Sequence, residues 1–472
     1  MPDTPTRRRP SDAPAVGEPA LPDGALEVLR ALESAGYETW AVGGFVRDAL
    51  LGRPAADVDL ATSALWRQAQ GVFEARGWAT RETGVAHGTL TVVVDGAGFE
   101  VTTFRTDGSY TDARHPDSVS FVRTVEEDLA RRDFTCNAIA WHPERGLLDP
   151  YGGLDDLRRG TIRAVGSPAQ RFSEDALRVL RACRFAAELG FSIEPGTWQG
   201  MLANKKLVYT LPKERVLAEL DRFVTGRYAG QALLDTVDAL SAVLPELAAM
   251  KGFEQHSPFH IYDVLEHTAC VLDASPRTRL ARWAALFHDM SKPAAFFTDE
   301  DGVGHFHGHP ILSAQMAAGA MERLGMPRRL CEQVLALVRR HDEHIAPDAR
   351  SVRRMLAQLG GDVELTRALF ELQRADAIGH APFFAAQRLE VVEEQLRLLD
   401  EIAAAEGVPT VGNLAVGGRE LMAAGIPEGP LVGRALDAAL DAVVEERVAN
   451  EPETLLAFVQ EWFADGAGGK MR

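Results

Sequence analysis

Two aspartates one residue apart, Asp57 and Asp59, are the residues of this 472-residue chain whose type and spacing best suit chemistry. They close a stretch, Val42 to Thr62, that also holds Gly43-Gly44 and Arg47. Trp40-Ala41-Val42 reads as the end of a strand. The glycine pair reads as a turn where backbone comes close to an anion. Phe45 to Leu51 then reads as a short helix stopped by Gly52, and the free N–H groups at such a helix start suit phosphate. Ala56 to Ala61 reads as a second strand. Alternate side chains on a strand share a face, so Asp57 and Asp59 point the same way while Val58 and Leu60 turn to the core. Two carboxylates so placed suit a pair of Mg²⁺ ions, the arrangement used for in-line phosphoryl transfer. Acid-x-acid pairs are common in a chain this acidic. Strand, glycine turn and arginine in one short unit set this pair apart.

The surrounding elements must position these groups. Ala25 to Ala35 has helical spacing. Ser63 reads as the cap of a helix over Trp66 to Arg76. Thr89 to Val94 alternates as a strand, Asp95-Gly96 turns it, and Phe99 to Phe104 returns. Glu100 on that return is a candidate third carboxylate. Asp107 to Val122 is polar and turn-rich, and a loop of that length in a compact domain is usually functional. Asp128 to Ala140 reads as a helix whose apolar face leaves Arg131, Arg132, Asp133 and Asn137 available; Arg132 suits a triphosphate. Asp149, Pro150 and Gly152-Gly153 form a turn into the next helical region.

Glu174 to Leu189 reads as one helix with Asp175 and Arg178 as surface neighbours at i,i+3 and with Arg181 and Arg184 continuing the row. Ion pairing on a helix surface is the plain reading. The chemical one is base selection. Cytosine and adenine each offer an amino donor beside a ring-nitrogen acceptor, which a carboxylate and a guanidinium satisfy together, while uracil and guanine present the opposite polarity. Basic residues gather from Arg158 to Arg227, and Lys213-Glu214-Arg215 opens another helix. That region is the best place for an RNA backbone.

Histidines crowd the second half, from His256 to His344, among them His260, His267, His288, His305, His307, His309 and His341. His267 falls on a helical pattern over Asp263 to Leu272. His288-Asp289 ends one over Leu280 to Met290, and Asp376 ends one over Leu369 to Ala375. One His, a His-Asp pair and a distant Asp on three helices make a divalent-metal cage. Ala385 to Ala405 reads as a long amphipathic helix and Ala435 to Trp462 as a last helical stretch.

A net charge of −18 argues against a general nucleic-acid coat protein. It leaves room for RNA at a local basic patch. No apolar run is long enough to span a bilayer, and the arginines near the start lead into Pro, Ser and Asp, not an apolar segment, so no secretory signal is expected. Four dispersed cysteines without a C-x-x-C pair fit a reducing cytoplasm.

Taken in order, Val42 to Thr62, Phe104 to Val122, Asp128 to Ala140, Asp149 to Leu157, Glu174 to Leu189 and Lys213 to Leu220 resemble the successive motifs of class II CCA-adding tRNA nucleotidyltransferases. These belong to the polymerase-β superfamily, together with bacterial poly(A) polymerases. The resemblance implies that Asp57 and Asp59 hold Mg²⁺; Glu100, from its place on the returning strand, is expected to assist. It also implies that Gly43, Gly44, Arg47, Arg132 and Asn137 hold the nucleotide, that Asp175 and Arg178 read the base, and that Arg181 and Arg184 complete the helix motif. The partners implied are tRNA, ATP and CTP. Residues 250 to 380 resemble an HD phosphohydrolase domain, with His267, His288, Asp289 and Asp376 as ligands of a divalent metal. Met290-Ser291-Lys292 departs from that family's usual Gly before Lys, which bears on hydrolysis more than on metal binding.

The expected fold is α+β: a small mixed or antiparallel sheet head with helices, then an all-α body with an HD-type helical domain. The expected division is a disordered arm (1–22), a head (23–150), a neck for base selection and tRNA (151–245), the HD domain (246–385) and a tail (386–472). The rivals are a poly(A) polymerase or partial tRNA nucleotidyltransferase, an HD phosphohydrolase with a vestigial head, and a non-catalytic tRNA-binding protein.

Overall fold

The computed structural model describes residues 17, 19–54, 57–84, 87–107, 119–404, 410–445 and 447–464. They form two compact units, Met1–Ala248 and Ala249–Arg472. The first begins with α1 (Asp23–Ser34), β1 (Thr39–Val42), α2 (Gly44–Leu50), β2 (Asp59–Thr62), α3 (Trp66–Glu74), β3 (Ala79–Gly84), β4 (Thr89–Val94) and β5 (Ala97–Thr103). It continues with β6 (Arg105–Asp107), β7 (Val119–Phe121), α4 (Val125–Ala130), β8 (Ala140–His142), β9 (Gly146–Leu148), α5 (Gly153–Arg159) and β10 (Thr161–Ile162). Then come α6 (Pro168–Glu174), α7 (Leu177–Leu189), β11 (Ser192–Ile193), α8 (Pro195–Asn204), α9 (Lys213–Val224) and α10 (Ala229–Leu240), with α11 (Leu247–Met250) at the junction.

The seven-stranded sheet runs β3-β4-β5-β2-β1-β8-β9. It is mixed because β2 and β5 are parallel while the other pairs are antiparallel. Asp95 and Gly96 both have positive φ, 50° and 82°, the backbone that a two-residue hairpin needs, so β4 and β5 pair as expected. Trp40, Val42, Ala61, Phe104, Leu129 and Ala140 form the core behind the central strands. Burying one Phe such as Phe104 contributes about 1.5–3 kcal/mol.

The second unit holds α12 (Val264–Ala274), α13 (Arg279–Phe287), α14 (Lys292–Ala295), β12 (Phe297–Thr298), β13 (Gly304–His305), α15 (His309–Leu324), α16 (Arg328–Arg340) and α17 (Ala349–Gln358). It ends with α18 (Val363–Ile378), α19 (Pro382–Ala404), α20 (Gly418–Ala423), α21 (Pro430–Val444) and α22 (Pro452–Ala464). The class expected from sequence, a mixed-sheet head and a helical body, is the class observed, with two small two-stranded pairings beyond the head, β10–β11 and β12–β13.

Several local expectations change. The strand near the aspartates begins at Asp59, so Asp57 precedes it and does not share its face by strand periodicity; Ala56 lies outside the described residues. Ser63 does not cap α3: its Oγ accepts from the Glu38 N–H at 3.0 Å, and the Leu65 N–H donates to Gln68 Oε1 at 2.9 Å instead. No single helix covers Asp128 to Ala140. α4 stops at Ala130, Asp133 Oδ1 accepts from the Phe134 N–H at 2.8 Å, and the chain bonds across to Arg163 before entering β8. The helix over Glu174 to Leu189 is broken at Asp175 (φ −138°, ψ 103°), whose Oδ1 accepts from the Leu177 N–H at 3.0 Å. Short acidic side chains compete for backbone donors in this way and favour helix ends over interiors. The last stretch is two helices, because Pro452 has no N–H to continue a helix and starts α22 instead. The central part of the polar loop expected over Asp107 to Val122, residues 108–118, lies outside the described residues; at its base β6 and β7 pair antiparallel.

Candidate functional site

A cleft of about 740 Å³ in the first unit is lined by Gly43, Gly44, Arg47, Asp57, Asp59, Glu100, Arg132, Asn137, Asp175, Arg178, Arg181 and Arg184. They include every first-unit residue given a catalytic or nucleotide-binding role from sequence. The parallel pairing of β2 with β5 sets Asp59 level with Glu100. Burial holds the Asp59 carboxyl above its usual range; Arg132 pulls it down, while Glu100 and Asp57 push it up. Crowded carboxylates of this kind are relieved by a cation. Gly43 has φ 73° and ψ −134°, and a Cβ there would lie 2.7 Å from Arg132 Nη1 and 3.9 Å from Asp59 Oδ2. The left-handed backbone favours glycine, and a side chain there would press on the Arg132 guanidinium.

The cationic wall is braced from behind. Arg131 and Arg132 reach the buried Asp128 at 2.8 and 3.2 Å. Burial opposes the Asp128 charge, but the two guanidiniums outweigh it and hold the carboxyl below its usual range. Arg47 donates to both Asp48 oxygens at 2.9 and 2.7 Å and to Asn137 Oδ1 at 2.8 Å, and it lies 5.0 Å over the Phe185 ring. Asn137 donates to Asp133 Oδ1 at 3.0 Å, and Arg181 donates to Asp133 Oδ2 at 2.8 Å. Burial would raise the Asp133 carboxyl; Arg181 and Asn137 reverse that and hold it far below the usual range. Arg184 is only 1% exposed, and its guanidinium is committed to Glu188 at 2.7 Å and Glu219 at 2.5 Å.

Asp175 and Arg178 face the same cleft without pairing with each other. Arg178 donates to Glu174 at 2.8 Å and to two main-chain carbonyls, while Asp175 Oδ2 stands 3.4 Å from Arg215. The basic residues gathered along 158–227 are mostly paired with acids, as Arg158 is with Asp155 and Arg222 with Glu188; Arg159, Lys206 and Lys213 are exposed. Asp133 and Asp128 are the structural hubs that sequence reading did not assign. Both lay inside the stretch read as a helix, where an aspartate reads as a surface charge.

The second unit has a different centre. Among the described residues, the sets whose ligating atoms all come within 4.8 Å of one another are both here: His267, His288, Asp289 and Asp376, and Asp289, His309 and His341. Asp289 is common to both. His309 and His341 were noticed as part of the histidine crowd but not assigned. The signal that links them is their facing Nε2 atoms, 3.2 Å apart across 32 residues, which only a fold reveals.

The chemistry of the donor set fits metal. In each of the four imidazoles Nδ1 faces a main-chain carbonyl: His267 to Gly379 at 3.2 Å, His288 to Ala285 at 2.7 Å, His309 to Phe306 at 2.9 Å and His341 to Val338 at 2.8 Å. A proton on Nδ1 leaves each Nε2 lone pair aimed into the cluster, the tautomer of a ligand. His267 and His288 bring Nε2 atoms 3.3 Å apart, a contact that needs a cation or proton between them. Neither Asp289 oxygen receives a well-directed hydrogen bond, although imidazoles and Lys292 stand around it at 2.7–3.5 Å. Burial opposes its charge, and His288 and Lys292 hold it well below the usual carboxylate range. Gly379 belongs to this construction, since a Cβ there would lie 2.6 Å from His267 Nδ1. The cluster floors a cavity of about 260 Å³ whose walls include His260, Lys292, His305 and Phe306.

A mixed sheet carrying two aspartates beside a glycine turn, over an arginine-braced cleft, defines a nucleotidyltransferase head, and a buried histidine–aspartate centre on helices defines an HD domain. Family models agree: residues 39–163 match the poly A polymerase head domain, 190–251 the RNA and SrmB-binding site of polymerase A, 259–378 the HD domain and 378–459 domain 2 of tRNA nucleotidyltransferase. The chain is 36% identical to the CCA-adding enzyme of Geobacillus stearothermophilus over 93% of its own length and 96% of the relative's. It is 33% identical to that of Lacticaseibacillus paracasei over the same shares. The crystal structure of the Bacillus stearothermophilus CCA-adding enzyme in complex with CTP matches at 32% identity and TM-score 0.70, covering 95% of this chain and 98% of that one. The chain belongs to the family of CCA-adding enzymes. No helix among the described residues is long and apolar enough to cross a membrane.

Proposed function

We propose that this chain adds C, C and A, without a template, to the 3′ end of tRNA in the cytoplasm, using CTP and ATP and releasing pyrophosphate. The observation that carries this reading is the convergence of Asp57, Asp59 and Glu100 with Arg132 and the Gly43 turn on one cleft. The division that goes with it is a head (23–150), a base-selecting and tRNA-binding neck (151–245), an HD domain (246–385) and a tail (386–472). Asp57 and Asp59, with Glu100 beside them, would hold Mg²⁺, which when bound supplies charge neutralisation for an in-line displacement. Arg132 holds the triphosphate, kept in place by Asp128. Arg47 is anchored by Asp48 and Asn137 and presents the apolar side of its site through Phe185. Asp175 accepts from the amino group of cytosine or adenine and Arg178 donates to the adjacent ring nitrogen. Uracil and guanine would leave both groups unmatched, a penalty of about 10⁴ or more in discrimination.

The test is incubation of tRNA lacking its last three nucleotides with each labelled nucleotide in turn. C and then A incorporation is expected from the unaltered chain and essentially none from Asp57→Ala. Full incorporation by Asp57→Ala would overturn the reading. A second activity is favoured by one specific observation, the metal-competent cluster at the floor of its own cavity. On that reading the HD domain hydrolyses phosphate esters, with a divalent cation held by His267, His288, Asp289 and Asp376.

A further inference from the structure

The β12–β13 hairpin forms a wall of the cavity over the histidine–aspartate cluster and carries a second, separate His–Asp arrangement. Asp299 Oδ1 accepts the Asp301 and Val303 N–H groups at 3.1 and 2.8 Å, so the turn fixes the carboxylate. Its other oxygen meets His305 Nε2 at 2.7 Å. The His305 ring packs against Phe297 and His307, with centroids at 5.3 and 5.7 Å, and those two rings also touch each other at 5.2 Å. A bonded path ties this hairpin to the cluster. The Gly304 N–H donates to the His256 carbonyl at 2.8 Å, and the neighbouring Gln255 accepts from Lys292, whose Nζ is 2.7 Å from Asp289.

Hydrolysis of a phosphate ester needs a proton at the leaving oxygen whenever that oxygen departs as a poor leaving group. The cluster imidazoles cannot give one, since each Nδ1 faces a carbonyl and each Nε2 faces the cluster. Lys292 is committed to Asp289 and Gln255. His260, His307 and His380 line the cavity as well, but His305 is distinguished by a carboxylate outside the cluster, Asp299 at 2.7 Å, that orients it, the base–orienter pairing that prepares an imidazole for proton transfer.

We propose that His305, held by Asp299, is the proton donor to the leaving oxygen when the second unit hydrolyses a phosphate ester with an alkoxide leaving group, such as a ribose hydroxyl. The inference rests on the hydrolytic reading of that unit. A water oxygen bonds to phosphorus as the P–O(alkyl) bond breaks. The electron pair stays on the leaving oxygen, which takes a proton from His305 Nδ1. His305 is left neutral, with its Nε2–H still on Asp299, and the water's proton goes to solvent.

The test uses the full chain loaded with Mn²⁺, a ribonucleoside 5′-phosphate and p-nitrophenyl phosphate. His305→Gln should lose about 10²–10⁴-fold in kcat on the ribonucleotide and only a few-fold on the nitrophenyl ester, whose leaving group needs no proton. Asp299→Asn should fall between. Calorimetric affinity for inorganic phosphate and the bound Mn²⁺ content should not change, and CTP incorporation into tRNA should be retained as a check on folding. Equal losses on both esters, no loss on either, or weakened phosphate binding would overturn the proton-donor role. An unaltered chain that cleaves the nitrophenyl ester but not the ribonucleotide would overturn the leaving-group class. One that cleaves neither with Mn²⁺, Co²⁺ or Ni²⁺ would remove the hydrolytic reading itself.

Discussion

Asp133 carries more of the first site than any residue read as catalytic. It is buried and receives Arg181, Asn137 and the Phe134 N–H, so it fixes α7 against the turn that presents Arg132. Replacing it with Asn removes the nearer of the two carboxylates around Arg181, leaving Glu219 at 3.8 Å, and should cost about 1–3 kcal/mol. Urea unfolding of the full chain, with hydrogen exchange of α7 peptides to locate the loss, measures this. The sign of its pH dependence follows from the depressed carboxyl. The folded value lies below the unfolded value of about 3.9, so the contribution is whole above that point and is lost as pH falls through the folded value. Asp128 is displaced the same way. Acid unfolding of the head should therefore steepen below about pH 4 in the unaltered chain. Asp133→Asn should flatten that limb without abolishing it, because Asp128 remains.

At the scale of elements, legibility tracked periodicity. α1, the β4–β5 hairpin and α9 were readable because apolar spacing, a DG turn and a basic–acidic helix start all pointed one way. The breaks were not. Asp175 captures the Leu177 N–H where α7 starts, Asp133 captures the Phe134 N–H beyond the end of α4, and composition gives no sign of which aspartate will do so. β3 was missed because it is a polar edge strand, Ala-Thr-Arg-Glu-Thr-Gly, with most of its side chains exposed. Every residue assigned to the first site nonetheless reached one cleft, since the motifs depend on local turns and sheet register more than on helix length. The turn before α2 gives the sharpest test. Gly43→Ala forces a side chain into backbone reserved for glycine and toward Arg132. It should cost about 1–3 kcal/mol and raise KM for both CTP and ATP, checked by melting and steady-state kinetics. The polar loop expected over Asp107 to Val122, whose ends pair as the β6–β7 ladder, is assigned a role in switching the site from C to A. Replacing residues 108–118 with a short Gly-Ser link should spare CC addition and stop the final A; unchanged A addition would rule that role out.

Among the described residues two sites of different donor chemistry stand out, one in each unit. Carboxylates beside arginines in the first suit a hard cation and a polyphosphate; imidazoles with a shared aspartate in the second suit a transition metal. The two centres have no residue in common, so their activities should dissociate. Asp57→Ala should abolish CTP and ATP incorporation while leaving nitrophenyl phosphate hydrolysis and Mn²⁺ content intact. Asp289→Ala removes the carboxylate common to both ligand sets. It should lose hydrolysis and most of the bound Mn²⁺, yet still complete CCA on trimmed tRNA at close to the unaltered rate. Equal loss of incorporation in the two variants would mean that the second centre serves the first, and the two sites would then have to be read as one catalytic system.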